Sequence, residues 1–596
     1  MLSIQRHRSL FARPSLSGKR AAQATSSQRA APRLRLARRM RSACARACRT
    51  LRHRLLTRSD EHRAVAPRWW RAVTTVDESL RDFVNHEKSG VPRGAGTDTT
   101  DGFDLGRMHR LLRDFDDPHR AYNTIHVSGT KGKGTTLSLL ASVLRAAGLK
   151  VGTYKSPHVY SVTERIRVDG QHAPDELSSL LRGLEREIKS AQARERGHLS
   201  YFEVLTALAF AYFKKAKVDL ALVEVGLGGT RDATNVLHAH NLEAAVITHI
   251  GEEHLDALGG SIETIVEAKA GIAHKRRPVF YAPNANNRVT ELLEDELRAR
   301  GATLVDDVKV TSRLIGYDKE GATLSQRVDV DIEVDGDATV RIPDIRVSLV
   351  GPHQRENIEL ALRVLWWLRS QRSIGIAIDD IRTGLETTES PGNFELFTAE
   401  TGGPTVIADG AHTRGSAEAL VKTIKEVYAG HKISFVVGMA DDKDHSGFLS
   451  ELYEANPISV VCTQMEVAGG SARTTEAKAL VDAYRRLSTG NELPRVVDDF
   501  KVALDEAMSA ADSDTVVVVT GSLYTLRAVR EALGKNVGKE TYNRSKEYSF
   551  VVTAYSSLEF RASRVTRERD SITNVLHPRH VTDEPLKAET KTGVRL

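Results

Sequence analysis

His126–Thr136 reads HVSGTKGKGTT, with an apolar run before it (Tyr122–Val127) and a helical pattern after it (Leu137–Ala147). Strand, glycine loop and helix in that order build a phosphate cradle. Glycines let the backbone turn tightly and aim N–H groups inward, the helix N-terminus adds partial positive charge, and a lysine adds a full one. The generic pattern puts Ser or Thr directly after Gly-Lys. Here Gly134 follows Lys133, and the hydroxyls come next as Thr135 and Thr136. A plain glycine turn before a helix is the competing reading; three glycines and two lysines in eleven residues weigh against it. The stretch predicts a nucleoside triphosphate ligand, ATP, on Gly129, Thr130, Lys131, Gly132, Lys133, Gly134, Thr135 and Thr136.

Outward from this loop, apolar runs alternate with helical patterns from about Phe103 to Pro283. Strands are predicted at Thr124–Val127, Val151–Tyr154, Leu220–Val225, Ala244–Thr248 and Pro278–Ala282, with a helix over Phe202–Lys215. Continuous rather than alternating apolar runs point to buried parallel strands. The expected fold is a doubly wound α/β domain with its chemistry at the strand C-termini. Val308–Val350 alternates polar and apolar residues and predicts a small antiparallel insertion; Glu356–Ser370 predicts a helix. A second α/β series follows, with strands at Thr405–Ala408, Ile433–Val437, Ser459–Cys462 and Thr515–Val519. Upstream, Thr74–Asn85 has helical spacing and Gly90–Gly102 reads as a loop. The expected division is residues 73–388 for the nucleotide-binding domain, with its β insertion near 308–350, and residues 389–534 for the smaller Rossmann-like domain.

At 596 residues the chain is too long for a single core, which fits two domains plus tails. Residues 1–59 carry sixteen Lys or Arg and no Asp or Glu, so the net charge of +7 belongs to this segment and the remainder is net negative. An acid-free, Arg-, Ser- and Ala-rich N-terminus reads as an organelle transit peptide over residues 1–72, bound for the mitochondrial matrix, with plastid or cytosol as alternatives. A basic arm for nucleic acid is the other reading, but nothing downstream resembles a base-reading module. No run of 18 apolar residues occurs, so no membrane span is expected. Of three cysteines, Cys44 and Cys48 lie in the N-terminal segment and only Cys462 lies in the body, which leaves no disulfide framework there and suits a reducing compartment. Residues 535–596 read as a loose polar tail.

Five further segments stand at predicted strand ends: Lys155–His158 (KSPH), Glu224–Asn235 (EVGLGGTRDATN), His249–Gly259 with Glu267–Ile272 (HIGEEHLDALG, EAKAGI), Asp409–His412 (DGAH) and Gly438–His445 (GMADDKDH). A Glu at a strand end beside glycines suits Mg²⁺, a hard cation that takes oxygen ligands and few protein contacts; Glu224 reads equally as a cap. Taken singly, His254 is a ligand or a satisfied polar residue, Lys269 an ordinary helix lysine, and Asp409 a turn cap.

Taken together and in this order, GTKGKGT, SPH, EVGLGGTRDATN, HIGEEHLDALGG with EAKAGI, DGAH and DKDH resemble the dihydrofolate synthase/folylpolyglutamate synthase family of Mur ligases, over roughly residues 103–533. GEEHLDALGG, EAKAGI, DGAHT and DKDH are most similar to plant-type dihydrofolate synthetases. The resemblance implies a Mur-ligase-like fold and ATP-dependent amide formation. The pterin substrate's carboxylate takes the γ-phosphoryl group, and L-glutamate's amine then displaces phosphate from the acyl phosphate. It implies that Lys133 acts on the phosphates and that Ser156, Glu224 and His254 place Mg²⁺. It further implies that Lys269 is carbamylated to hold a second Mg²⁺, and that Asp409 and Asn357 contact ATP. Small-molecule partners only are expected (ATP, L-glutamate, dihydropteroate or a folate), with no nucleic acid or membrane, on a monomer. A polyglutamate-extending or cell-wall ligase and a catalytically weakened nucleotide-binding homologue remain alternatives.

One position departs from the family pattern, Pro-Gly-Arg-Phe. This chain has Pro391, Gly392, Asn393 and Phe394, so Asn393 brings no cation to the ATP phosphates. Either another cation nearby compensates, with Arg414 after the DGAH loop one candidate, or ATP binds more weakly.

Overall fold

The structure, a computed structural model, describes residues 76–534 except 101, 321–322, 335–338, 373, 399–402, 466, 468–472 and 488–493. The expected transit segment (residues 1–72), the C-terminal tail, Cys44 and Cys48 lie outside the described residues.

The first sheet comprises β1 (Asn123–Ser128), β2 (Val151–Tyr154), β3 (Ile166–Val168), β4 (Gln171–His172), β5 (Leu220–Glu224), β6 (Leu242–Ile247), β7 (Pro278–Tyr281) and β8 (Thr303–Leu304). Their order is β4-β3-β2-β5-β1-β6-β7-β8. From β2 to β8 the strands run parallel, and β3 and β4 fold back antiparallel at one edge. Successive side chains of a strand leave on opposite faces. In β5, Leu220 and Leu222 therefore pack with α1 (Lys133–Ala146) while Ala221 and Val223 pack with α2 (Tyr201–Ala216). Helices on both faces explain why the central strands are buried along almost their whole length, polar members such as Thr124, His126 and Glu243 included. Helix α2 begins at a capping box in which Ser200 and Glu203 bond each other's backbone amides.

The helix expected over Thr74–Asn85 is not continuous. Of its described part, residues 76–79 are helical; the chain then turns, and Val84 pairs with Ser200 as an isolated bridge. Asn85 caps a separate short helix, His86–Ser89, by accepting from Glu87 N at 3.0 Å. Tertiary pairing at Val84 and the cap at Asn85 override the helical spacing.

β9 (Val308–Glu320), β10 (Thr323–Val334) and β11 (Val340–Val347) form the antiparallel insertion that the alternation predicts. Val328, Val330, Ile332, Ile342 and Ile345 face the core cluster that also contains α1. The other face carries ion pairs such as Arg327–Asp344 at 2.6 Å. Helix α3 (Pro352–Gln371) returns the chain to the first lobe. Its end, Leu360–Leu368, packs in the same cluster.

The second lobe holds β12 (Glu395–Thr398), β13 (Thr405–Ala408), β14 (Lys432–Val437), β15 (Ser459–Gln464), β16 (Arg495–Asp499) and β17 (Thr515–Thr520), ordered β12-β13-β17-β14-β15-β16. All pairs are parallel except β12 with β13. The β-branched run of β17, TVVVVT, is buried throughout at the centre of this sheet. The lobes are stitched by Arg355–Glu426 at 3.2 Å, by Tyr317 donating to Glu426 at 2.7 Å, and by Val159 of the first lobe, which is buried among Val406, Leu526 and Val529 of the second.

Candidate active site

β2, β5, β1 and β6 are neighbours, and their C-terminal ends carry four of the singled-out segments. The chain leaves β1 for β2 on one side and comes back beyond it to β6 on the other, which opens a crevice at the strand ends. That crevice opens into one cleft of about 2180 Å³, lined by Lys131, Lys133, Ser156, Glu224, His254 and Asn357 from the first lobe and by Asn393, Asp409 and Arg414 from the second.

The glycine loop runs from β1 into α1. Two glycines there are irreplaceable. Gly129 has φ +138°, and a Cβ on it would lie 1.9 Å from Thr248 Oγ1; Gly132 has φ +88°, and a Cβ would lie 2.2 Å from Asn357 Oδ1. The cradle is narrower than the sequence suggests. Thr130 N and Lys131 N both donate to His249 O, at 2.8 and 3.2 Å, which closes the loop on the neighbouring segment. Thr136 N donates to Gly132 O within the helix. The amides open to a phosphate are those of the first helical turn, up to Thr135, which lines the cleft. Lys133 Nζ folds back onto Gly129 O and Thr130 O at 3.1 and 3.2 Å, while Lys131 pairs with Glu253.

Glu224 ends β5, buried, and its hydrogen bond among the described residues comes from Ser156 N at 3.3 Å. Burial raises its carboxyl above the usual range, against the pull of Lys133 and Lys155. Ser156 and Glu224 are thus brought together. His254, after β6, also lines the cleft with φ +54°, and desolvation there pulls its imidazole below its usual range, against the opposing pull of Glu253. Among the described residues no three His, Cys, Asp or Glu side chains are arranged to hold a metal.

Lys269, in the helix Ile262–Ala270, is not on the cleft wall. It is buried behind the loop, donating to Gly129 O at 2.9 Å. Burial, then the like charge of Lys133, pull its ammonium down to about 7. Asn357 on α3 accepts from Thr136 Oγ1 at 3.5 Å and donates to Gln354 at 2.9 Å.

On the second lobe, both oxygens of Asp409 are engaged, by Phe394 N at 2.8 Å and Ala411 N at 2.9 Å, and burial raises its carboxyl to about 6. Asn393 Nδ2 turns back on Ser390, at 2.8 Å to its Oγ. Arg414 is 69% exposed and donates to Glu451 at 2.9 Å, so it is not turned toward the glycine loop.

Sequence reasoning assigned no role to Asp232 or Lys155. Asp232, inside EVGLGGTRDATN, accepts from Leu227 N at 2.8 Å and from Thr234 Oγ1 at 2.5 Å; Thr234 in turn accepts from buried His126 at 2.8 Å, pinning this loop to β1. Lys155 is half-buried directly after β2; a lysine closing an apolar strand was its only signal.

Family models match on both lobes: the Mur ligase middle domain over residues 127–365 and the Mur ligase glutamate ligase domain over residues 394–523. The chain is 31% identical to the dihydrofolate synthase/folylpolyglutamate synthase of Bacillus subtilis over 432 residues, 72% of this chain and 94% of that protein. The chain belongs to the dihydrofolate synthase/folylpolyglutamate synthase family. Its fold is similar to that of Mycobacterium tuberculosis folylpolyglutamate synthase complexed with ADP, at TM-score 0.65 and 29% identity, covering 78% of this chain and 99% of that one. It is also similar to a bifunctional folylpolyglutamate synthase/dihydrofolate synthase with Mn, AMPPNP and L-glutamate bound, at TM-score 0.59 and 30% identity, covering 72% and 94%. The sites that set this family member's chemistry lie on strand ends and loops, where a rigid scaffold positions functional groups.

Proposed function

We propose that this member of the family joins L-glutamate to 7,8-dihydropteroate at the expense of ATP. The observation that carries the reading is the Lys133 loop at the start of α1, set beside Glu224 and Ser156 in one cleft that the second lobe also lines. The solved relatives named for ADP and for AMPPNP with L-glutamate support ATP and glutamate as its ligands.

In the first step an oxygen of the pterin carboxylate attacks the γ-phosphorus, and the bond to the β-phosphate oxygen breaks, releasing ADP. In the second the glutamate amine attacks the acyl carbon, phosphate leaves with the bonding electrons, and the amine loses a proton. Phosphoryl transfer needs cations and positioning more than covalent help. Lys133 and the amides of the first helical turn bind the β- and γ-phosphates. Asn357, against Gly132, fixes the loop that presents them.

Glu224 fits a divalent cation. A carboxylate that burial holds above its usual range, with one amide as partner, gains from a cation beside it. Glu224 and Ser156 would hold Mg²⁺, with His254 of the same cleft as a further ligand. Bound there, Mg²⁺ would supply positive charge to the phosphates. Lys269 has the buried, easily neutralised amine that carbamylation requires. As a carbamate it would attract Lys133 rather than repel it.

The test is purified protein lacking residues 1–72, given ATP, Mg²⁺, L-glutamate and either pterin acceptor. Dihydropteroate should be converted to dihydrofolate with ADP and phosphate released in equal amounts. Extension of tetrahydrofolate alone would establish the polyglutamate alternative, and no turnover of either acceptor would sink the reading.

A further inference from the structure

Lys155 N donates to Arg165 O at 2.9 Å. Arg165 is fully buried and held by Glu87 at 2.6 Å, so the main chain at Lys155 is fixed and only its side-chain torsions are free. Its stem crosses the first turn of α1: a Cβ placed on Gly134 would lie 4.0 Å from Lys155 Cδ and 3.5 Å from Glu224 Oε2. Two bonds beyond Cδ, the ammonium rests on Ser138 Oγ at 2.9 Å, one turn further along the helix. Ser138 itself donates to Gly134 O at 2.9 Å, so its hydroxyl is the acceptor for the lysine.

The neighbouring cations differ in their partners. Lys131 is paired with Glu253, Lys443 with Asp442 at 3.4 Å, and Arg414 with Glu451. Lys133 and Lys155 are held by neutral oxygens, and the one buried carboxylate between them is Glu224. The start of α1 therefore carries an excess of positive charge, to which the helix N-terminus adds. A neutral hydroxyl partner is readily exchanged for an anionic oxygen, because a full negative charge adds direct Coulomb attraction to the ammonium that the hydroxyl lacks.

We propose that Lys155 is the second lysine of the phosphate clamp: its ammonium leaves Ser138 and takes an oxygen of the phosphoryl group being transferred, opposite Lys133. This rests on the reading that the Lys133 loop holds the nucleotide phosphates. Asn393 carries no charge and Arg414 is exposed and turned to Glu451, whereas Lys155 lies over the first turn of α1 beside Glu224.

The experiment compares wild type, Lys155→Met, Lys155→Arg, Ser138→Ala and Lys133→Met in equilibrium binding of AMPPNP at fixed salt and Mg²⁺. Steady-state KM for the pterin and for glutamate, and thermal midpoints, are measured alongside. Lys155→Met should weaken AMPPNP by about tenfold or more and lower kcat, with both other KM values and the midpoint unchanged. Lys155→Arg, which keeps the charge, should restore most of the binding. Ser138→Ala frees the ammonium and should bind AMPPNP as tightly as wild type or more tightly. Wild-type affinity in Lys155→Met while Lys133→Met has lost binding overturns the proposal and leaves the loop reading intact; wild-type affinity in both overturns the loop reading. A rise in the pterin KM alone assigns Lys155 to the acceptor carboxylate and overturns the proposal, as does weaker AMPPNP binding by Ser138→Ala.

Discussion

At the residue scale, charge and burial together decide what each lysine can do. Lys269 sits behind the loop with its ammonium pulled down to about 7, whereas an exposed lysine stays protonated at neutral pH. Carbon dioxide adds only to the neutral amine, forming an N–C bond and releasing a proton, so carbamate formation is favoured as pH rises through about 7. Enzyme freed of carbon dioxide should lose activity and regain it with bicarbonate at alkaline pH, and regain little in mild acid. Labelled bicarbonate should yield a carbamate carbon signal that Lys269→Ala lacks. Activity indifferent to bicarbonate, without that signal, would count against the carbamate. Arg414 gives the opposite lesson. Its position after DGAH suggests a phosphate cation, but its guanidinium is exposed and spent on Glu451. Because exposed ion pairs contribute about 0–1 kcal/mol, Arg414→Ala should shift the ATP KM by no more than a few-fold. A tenfold rise would return it to the clamp.

At the element scale, the glycine loop works because two backbone positions exclude every side chain. Gly132→Ala forces a left-handed φ and drives Cβ into Asn357 Oδ1 at 2.2 Å. It should destabilise the protein by about 1–3 kcal/mol in denaturant titration and abolish ADP binding. Retained ADP affinity would show that the loop tolerates a shift of Asn357. Central strands with long apolar stretches, such as β5 and β17, were legible because burial on both faces leaves no alternative pattern. The short strands at or next to the sheet edges, β3, β4, β8, β12 and β16, were not. β16 is largely exposed and β4 has two residues, so each exists only because a neighbour pairs with it. The helical spacing of Thr74–Asn85 failed for the same reason, with Val84 drawn off to Ser200.

At the scale of the whole molecule, the loop that carries Ser156 continues to Val159 and Tyr160, which are seated in the second lobe under Arg530. Glu164 accepts from the amides of Val159, Tyr160 and Ser161 at 2.8–3.0 Å, which makes that loop a stiff link between the lobes. The basic, acid-free N-terminus adds a destination. We propose import into mitochondria, and residues 1–72 fused to a fluorescent reporter should carry it there. A cytosolic or nuclear signal would rule import out, and a plastid signal would change the compartment.

The amino-acid order by itself determined the two α/β series, the antiparallel insertion and the motifs at strand ends, because burial patterns and glycine demands are local and repeat with the element. It also identified Lys133, Ser156 and Glu224 as candidates. Only the tertiary structure decided that Glu224 meets Ser156, that Thr130 and Lys131 spend their amides on His249, and that Lys269 lies behind the loop while Lys155 lies across it. Those outcomes depend on which strands become neighbours and on which charges share a desolvated space, and no local pattern encodes either.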